Sequence, residues 1–76
     1  MAERAKVACV LGDGFEDSEF RVPYDRMKGQ GYEVQVIGDH AGQQIEGKQG
    51  RERIRADKGI ADARPEDYQA VFIPGG

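Results

Sequence analysis

Apolar residues fall in short blocks along the chain, and the spacing inside each block names an element. Lys6 to Leu11 (KVACVL) is a continuous apolar run of strand length, rich in Val, that stops at Gly12; it predicts a buried strand. Beyond the turn GDG, the segment from Asp17 or Ser18 to Lys28 places Phe20, Tyr24 and Met27 at intervals of four and three, one apolar stripe of a helix. Asp17 or Ser18 is the expected N-cap, with Gly29 and Gly31 as terminators. Pro23 sits early in this helix and removes one backbone hydrogen bond. Tyr32 to Ile37 (YEVQVI) alternates apolar and polar residues and ends at Gly38, the pattern of a half-buried strand. Strand, helix and strand then form one right-handed βαβ unit.

The second half is more polar. Gln43 to Asp57 carries Ile45, the turn GKQG, and Ile54 within Arg51 to Arg55, which predicts a polar, exposed β-hairpin. Pro65 at the head of PEDY predicts a single helical turn. Ala70 to Ile73 (AVFI) is a third apolar strand, followed by Pro74, Gly75 and Gly76. Parallel strands buried on both faces need helices on both sides, yet the pattern supplies one full helix for three such strands. Residues 1–76 therefore read as the first half of a doubly wound, mostly parallel α/β domain, incomplete without following polypeptide. Even a complete domain of this size buries only about 60% of its unfolded surface, so an uncovered face is hard to stabilise.

Charge and composition narrow the function classes. With 11 Lys and Arg against 14 Asp and Glu, the net charge is -3, and the short basic run from Lys48 to Arg55 is diluted by Glu52. Phosphate neutralisation needs a concentrated basic face, so nucleic acid is not an expected partner. The start MAERAKV has no apolar core of a signal peptide, and no apolar run is long enough to span a bilayer. The expected address is the cytoplasm, with no membrane partner. A single cysteine, Cys9, cannot form an internal disulfide, and with the single His40 it leaves no metal-ligand spacing.

In open α/β sheets, ligands bind beyond the carboxyl ends of the strands, which selects the loops Gly12 to Glu19 and Pro74 to Gly76. The first packs Asp13, Glu16, Asp17 and Glu19 around a helix N-terminus. Acids there are favoured by the helix dipole alone, at about 0.3 to 1 kcal/mol each. Capping needs only one or two of them, so a surplus carboxylate is a candidate acid, base or thiol partner. Pro-Gly-Gly is equally a plain turn, or a place where glycine N–H groups approach a ligand as in an oxyanion hole. GDG lacks the spacing of a dinucleotide or phosphate loop. Cys9, at the centre of a buried strand, is expected to be inert, and His40 a polar loop residue.

Taken in order, KVACVL, DGFEDSEF, VPYDRMKGQGYEV, GKQG, ADKGIAD and PEDYQAVFIPGG resemble the PfpI family of intracellular cysteine hydrolases and deglycases, within the class I glutamine amidotransferase-like superfamily. The specific parts are GFEDSE, followed four residues later by PY, and the terminal DY-x-A-x-x-x-PGG. The resemblance implies a flavodoxin-like fold and a cysteine nucleophile on a strained strand-to-helix turn, in a motif like A-x-C-H-G that does not occur in these residues. By motif position Glu19 matches the glutamate whose carboxyl contacts the cysteine sulfur, Glu16 is the neighbouring acid, and Gly75 and Gly76 match the oxyanion turn. The implied chemistry is hydrolysis or isomerisation at an activated carbonyl, in a peptide or a small glyoxal-type adduct, with no metal or organic cofactor. The implied partners are the remainder of the same domain, in the same or a second chain, and further copies in a homo-oligomer. The alternative is a non-catalytic stress-response or redox-sensing binding module of the same fold.

Overall fold

A computed structural model describes residues 5–74. The first strand, β1 (Lys6–Val10), is the hub: it pairs in parallel with β2 (Glu33–Gly38) on one side, register Cys9 to Val36, and with a late strand, Ala70–Phe72, on the other, register Cys9 to Phe72. Between β1 and β2 runs the helix α1 (Asp17–Gly29). A hairpin follows, β3 (Gln44–Glu46) antiparallel to β4 (Arg53–Arg55), with Ile45 opposite Ile54. Two residues, β5 (Lys58–Gly59), then extend the main sheet beside β2, so that with the last strand as β6 the order is β5-β2-β1-β6.

The core lies on one face of this sheet. Alternation along β1 and β2 sends Val7, Cys9, Val34 and Val36 to the same side, where they meet Phe20 of α1, Phe15 and Ile45. Phe20 is fully buried between Phe15, at 5.4 Å edge-on, and Tyr24, at 4.8 Å, with Met27 continuing the predicted stripe against the core. The helix passes through Pro23 unbroken. It ends as its glycines predict: Gly31, at φ +92°, donates to the Lys28 carbonyl while Tyr32 N–H reaches back to the Met27 carbonyl, the double bond of a Schellman stop.

Three expectations are corrected, and one strand is found for which the sequence raised none. The N-cap is Glu16, neither Asp17 nor Ser18; it makes no side-chain cap bond and its carboxylate faces Lys48, while the Asp17 carboxylate is taken up by the hairpin amides. The hairpin is not merely polar and exposed: Ile45 has no exposed surface, since the hairpin folds onto the α1 side of the sheet and fills a gap in the core. β5 was not legible, because its ladder starts from a side chain: Asp57 N–H donates to the Val36 carbonyl and Asp57 Oδ2 accepts from Val36 N–H, both at 2.8 Å. β6 is not buried, because β1 is its only strand neighbour among the described residues; Val71 is 57% exposed, and Phe72 alone reaches the core. The single turn predicted at Pro65 is a 3-10 turn over Pro65–Asp67, preceded by another over Ile60–Asp62.

The opposite face of the sheet carries Val10, Ile37 and Val71, which with Ile60 and Tyr68 line an open apolar groove of about 160 Å³. Tyr68 anchors the connection to β6 there: its hydroxyl donates to Gln35 Oε1 at 2.7 Å, and burial, helped by the nearby Asp67, Asp57 and Glu33 charges, keeps it protonated above the usual tyrosine range.

Burial pushes the Cys9 thiol up to about 12, the behaviour of an inert core residue. The folded state thus holds this proton more tightly than the unfolded state, so stability from Cys9 is complete below the ordinary thiol range and falls as pH rises towards 12. In the native gene product, Cys9→Ala is expected to flatten the loss of denaturant stability between about pH 9 and 11. Maleimide is expected to label Cys9 only as fast as the protein unfolds. Rapid labelling under native conditions contradicts the strand-centre assignment.

Candidate functional site

The strand order locates the crevice. From β1 the chain moves to β2 and then β5 on one side, and returns to place β6 on the other side of β1. The reversal lies between β1 and β6, and their carboxyl ends sit together because Val10 and Phe72 end two adjacent parallel strands. The loop from Leu11 to Glu16 and the residues after Phe72 therefore leave the sheet at one edge, the position where α/β folds hold ligands. Both loops singled out from the sequence therefore start from that edge, the second being described as far as Pro74; Gly75 and Gly76 lie outside the described residues.

The acidic loop is built onto the hairpin. Gly14, at φ +83°, donates to the Glu46 carbonyl at 2.9 Å, Glu46 N–H donates to Asp13 Oδ1 at 3.1 Å, and Lys48 N–H donates to the Phe15 carbonyl at 2.8 Å. Asp17 completes the seam. Its Oδ1 accepts from Gln49 N–H at 2.9 Å, and its Oδ2 accepts from Arg51 at 3.1 Å and Glu52 at 2.9 Å. The side chain is 5% exposed, and Gly47 packs so close that a Cβ there would overlap the carboxylate. The Gln49 bond, joined by those from Glu52 and Arg51, holds the Asp17 carboxyl below the usual aspartate range against the opposing effect of burial.

The other two acids differ from it. Glu16, at the N-cap, is half-buried and faces Lys48 Nζ at 3.5 Å. Glu19 lies in the first turn of α1 and is exposed. Arg21, one turn along, reaches Glu52 with two bonds, at 2.6 and 3.0 Å, and Asp25 with one at 2.9 Å, tying helix to hairpin again. Between Asp13–Gly14 and the Glu46–Gly50 turn lies an open polar cleft of about 560 Å³.

The sequence reading missed Asp17 as the polar anchor and took GKQG only as a turn. The usable signal was the pair itself: a buried carboxylate needs several N–H donors, and a glycine-bounded turn can present successive amides to one acceptor. Cys9, in β1, is not exposed to the crevice, and His40 is an exposed loop residue whose N–H, with that of Asp39, faces Gln43 Oε1. Among the described residues no group of three His, Cys, Asp or Glu side chains could hold a metal ion, and no helix is long and apolar enough to cross a membrane.

Comparison with known proteins gives this arrangement a lineage. The chain is 48% identical over 71 residues to an uncharacterized protein of Staphylococcus epidermidis and 46% identical to one of Staphylococcus aureus; each match covers 93% of this chain and 41% of the relative. It thus spans about two fifths of the length of those curated relatives. A two-domain protein of Anabaena variabilis containing DJ-1/ThiJ/PfpI-like and ferritin-like domains superposes with TM-score 0.92 at 37% identity, over 96% of this chain and 21% of that one. Drosophila melanogaster DJ-1beta shares the fold at TM-score 0.82 and 24% identity, over 97% of this chain and 39% of that one. These neighbours carry the mostly parallel α/β architecture expected from the strand pattern, in the flavodoxin-like form that the family resemblance implies. The DJ-1/PfpI family model itself matches residues 5–76, and the chain belongs to that family.

Proposed function

We propose that this chain supplies the amino-terminal part of a thiol-dependent enzyme acting on activated carbonyls, in a peptide or a glyoxal-type adduct, within the cytoplasm. One observation carries the reading: the chain reversal between β1 and β6 brings the acidic start of α1 and the end of β6 to one sheet edge. A cysteine thiolate from polypeptide beyond these residues attacks the carbonyl carbon, forming a carbon–sulfur bond as the carbonyl π pair moves onto oxygen. Backbone N–H groups of Gly75 and Gly76 receive that oxyanion. Glu19, as the neutral carboxylic acid, donates its O–H to the sulfur, and Glu16 is the neighbouring acid, held by Lys48.

The same reading makes residues 1–76 one part of a single domain. Its support is the second sheet face, where Val71 and Ile60 are more than half exposed over the apolar groove. Helices from the remainder of the domain, in the same or a second chain, cover it. Residues 1–76 produced alone are therefore expected to bind a hydrophobic dye and self-associate, because contiguous apolar surface drives association. A monomer with a cooperative thermal transition and no dye binding contradicts this.

In the native gene product, Glu19→Leu is expected to shift the pH profile of alkylation of the reactive cysteine and to lower turnover on a glyoxal-type substrate about 10-fold to 100-fold, the worth of one hydrogen bond to a charged group. Glu19→Gln keeps a donor and is expected to stay closer to the parent, and Glu16→Gln to be the mildest of the three. Superimposable alkylation profiles for Glu19→Leu and the parent remove Glu19 from the site.

A further inference from the structure

We infer that Asp17 is a positioning residue: through the three amides of the 49–52 turn, its carboxylate fixes the start of α1 against the hairpin, and so sets where Glu19 stands at the sheet edge. The inference rests on the proposed role of Glu19 only for its functional consequence.

The geometry is that of an anion bound by a loop. Both carboxylate oxygens accept from backbone N–H groups of the hairpin, which comes from 32 to 35 residues further along the chain. The carboxylate is nearly inaccessible, and it packs so closely over Gly47 that any side chain at position 47 would displace it. Ordinary helix capping does not account for these bonds, since Asp17 is the first helical residue and its oxygens face another element. Glu19 is two residues further on in the same turn, so any rotation of the helix start relative to the hairpin moves it.

The acceptor must be ionised. A neutral Asn or protonated Asp offers one good acceptor oxygen and turns a donor towards amides that are themselves donors. The charged groups around it are already matched: Glu16 with Lys48, Arg21 with Glu52 and Asp25, and Asp13 with Glu46 N–H, while Arg51 borders Asp17 from the turn. Because the three N–H bonds hold the Asp17 carboxyl below its ordinary range, the clamp's contribution is complete above the ordinary aspartate value of about 3.9 and is lost as pH falls through the lowered one.

The test follows the amide ¹⁵N shifts of Gln49, Arg51 and Glu52 in the native gene product from pH 7 to 2, which needs no variant. The expected result is that all three move together with one apparent pKa below that of an ordinary aspartate, and still do so in Glu52→Gln, which removes the carboxylate that the turn itself carries. Asp17→Asn is expected to show displaced, pH-independent shifts for these amides and a shifted alkylation profile of the reactive cysteine. Shifts that fail to move together, or that vanish in Glu52→Gln, overturn the clamp. Normal amide titration with an unaltered thiol profile in Asp17→Asn, in a protein whose profile does respond to Glu19→Leu, overturns the positioning role and leaves the proposed function standing. If the thiol profile ignores Glu19→Leu as well, the role of Glu19 fails, and with it the positioning of Glu19 by Asp17.

Discussion

A parallel strand hydrogen-bonded on both edges has nowhere to put its side chains except into the two faces of the sheet, and β1 is such a strand, held by β2 and β6. Its central place forces Val7 and Cys9 into the α1 core and Ala8 and Val10 to the opposite face. It also forces a reversal of the chain path, because β6 returns to the side of β1 that β2 left open. The core, the inert thiol, the apolar groove and the location of the crevice all follow from this one arrangement.

The hairpin solves a second problem. The one α-helix among the described residues, of 13 residues, covers the β1 and β2 side of the sheet incompletely, and Ile45, with no exposed surface, supplies further apolar contact. A hairpin this short, three residues in each strand, does not hold itself in place. Asp17, Asp13 and the main chain of Gly14 and Phe15 secure it to the acidic loop, and the Arg21 to Glu52 pair reinforces the same seam. The first turn of α1 therefore carries two acids of different kinds, the buried Asp17 that holds structure and the exposed Glu19 to which chemistry is assigned as a proposal.

How much of this was legible depended on whether the signal was local. The strand over Lys6–Val10, the stripe of Phe20, Tyr24 and Met27, the Gly31 stop and the hairpin turn each leave a pattern within a few residues, and all are present. β5 left none, because two residues carry no periodicity and the pairing begins with an aspartate side chain. The exposure of β6 was misread because apolar composition reports what a strand can bury and not whether anything lies over it. At the site, four acids in seven residues were visible, but their division of labour was not. Only the hairpin's position shows that Asp17 is the anchor and Glu16 the partner of Lys48, while Glu19 is exposed.

The central claim is that the start of α1 borders a reactive thiol at the reversal between β1 and β6. Proximity can be trapped directly by introducing Glu19→Cys into the native gene product, oxidising under mild conditions and mapping disulfides by mass spectrometry. Asp25→Cys, further along the same helix, serves as the control. The account predicts a disulfide between position 19 and the nucleophilic cysteine, with none from position 25 and none to the buried Cys9. No bridge from position 19, or equal bridging from both positions, contradicts it.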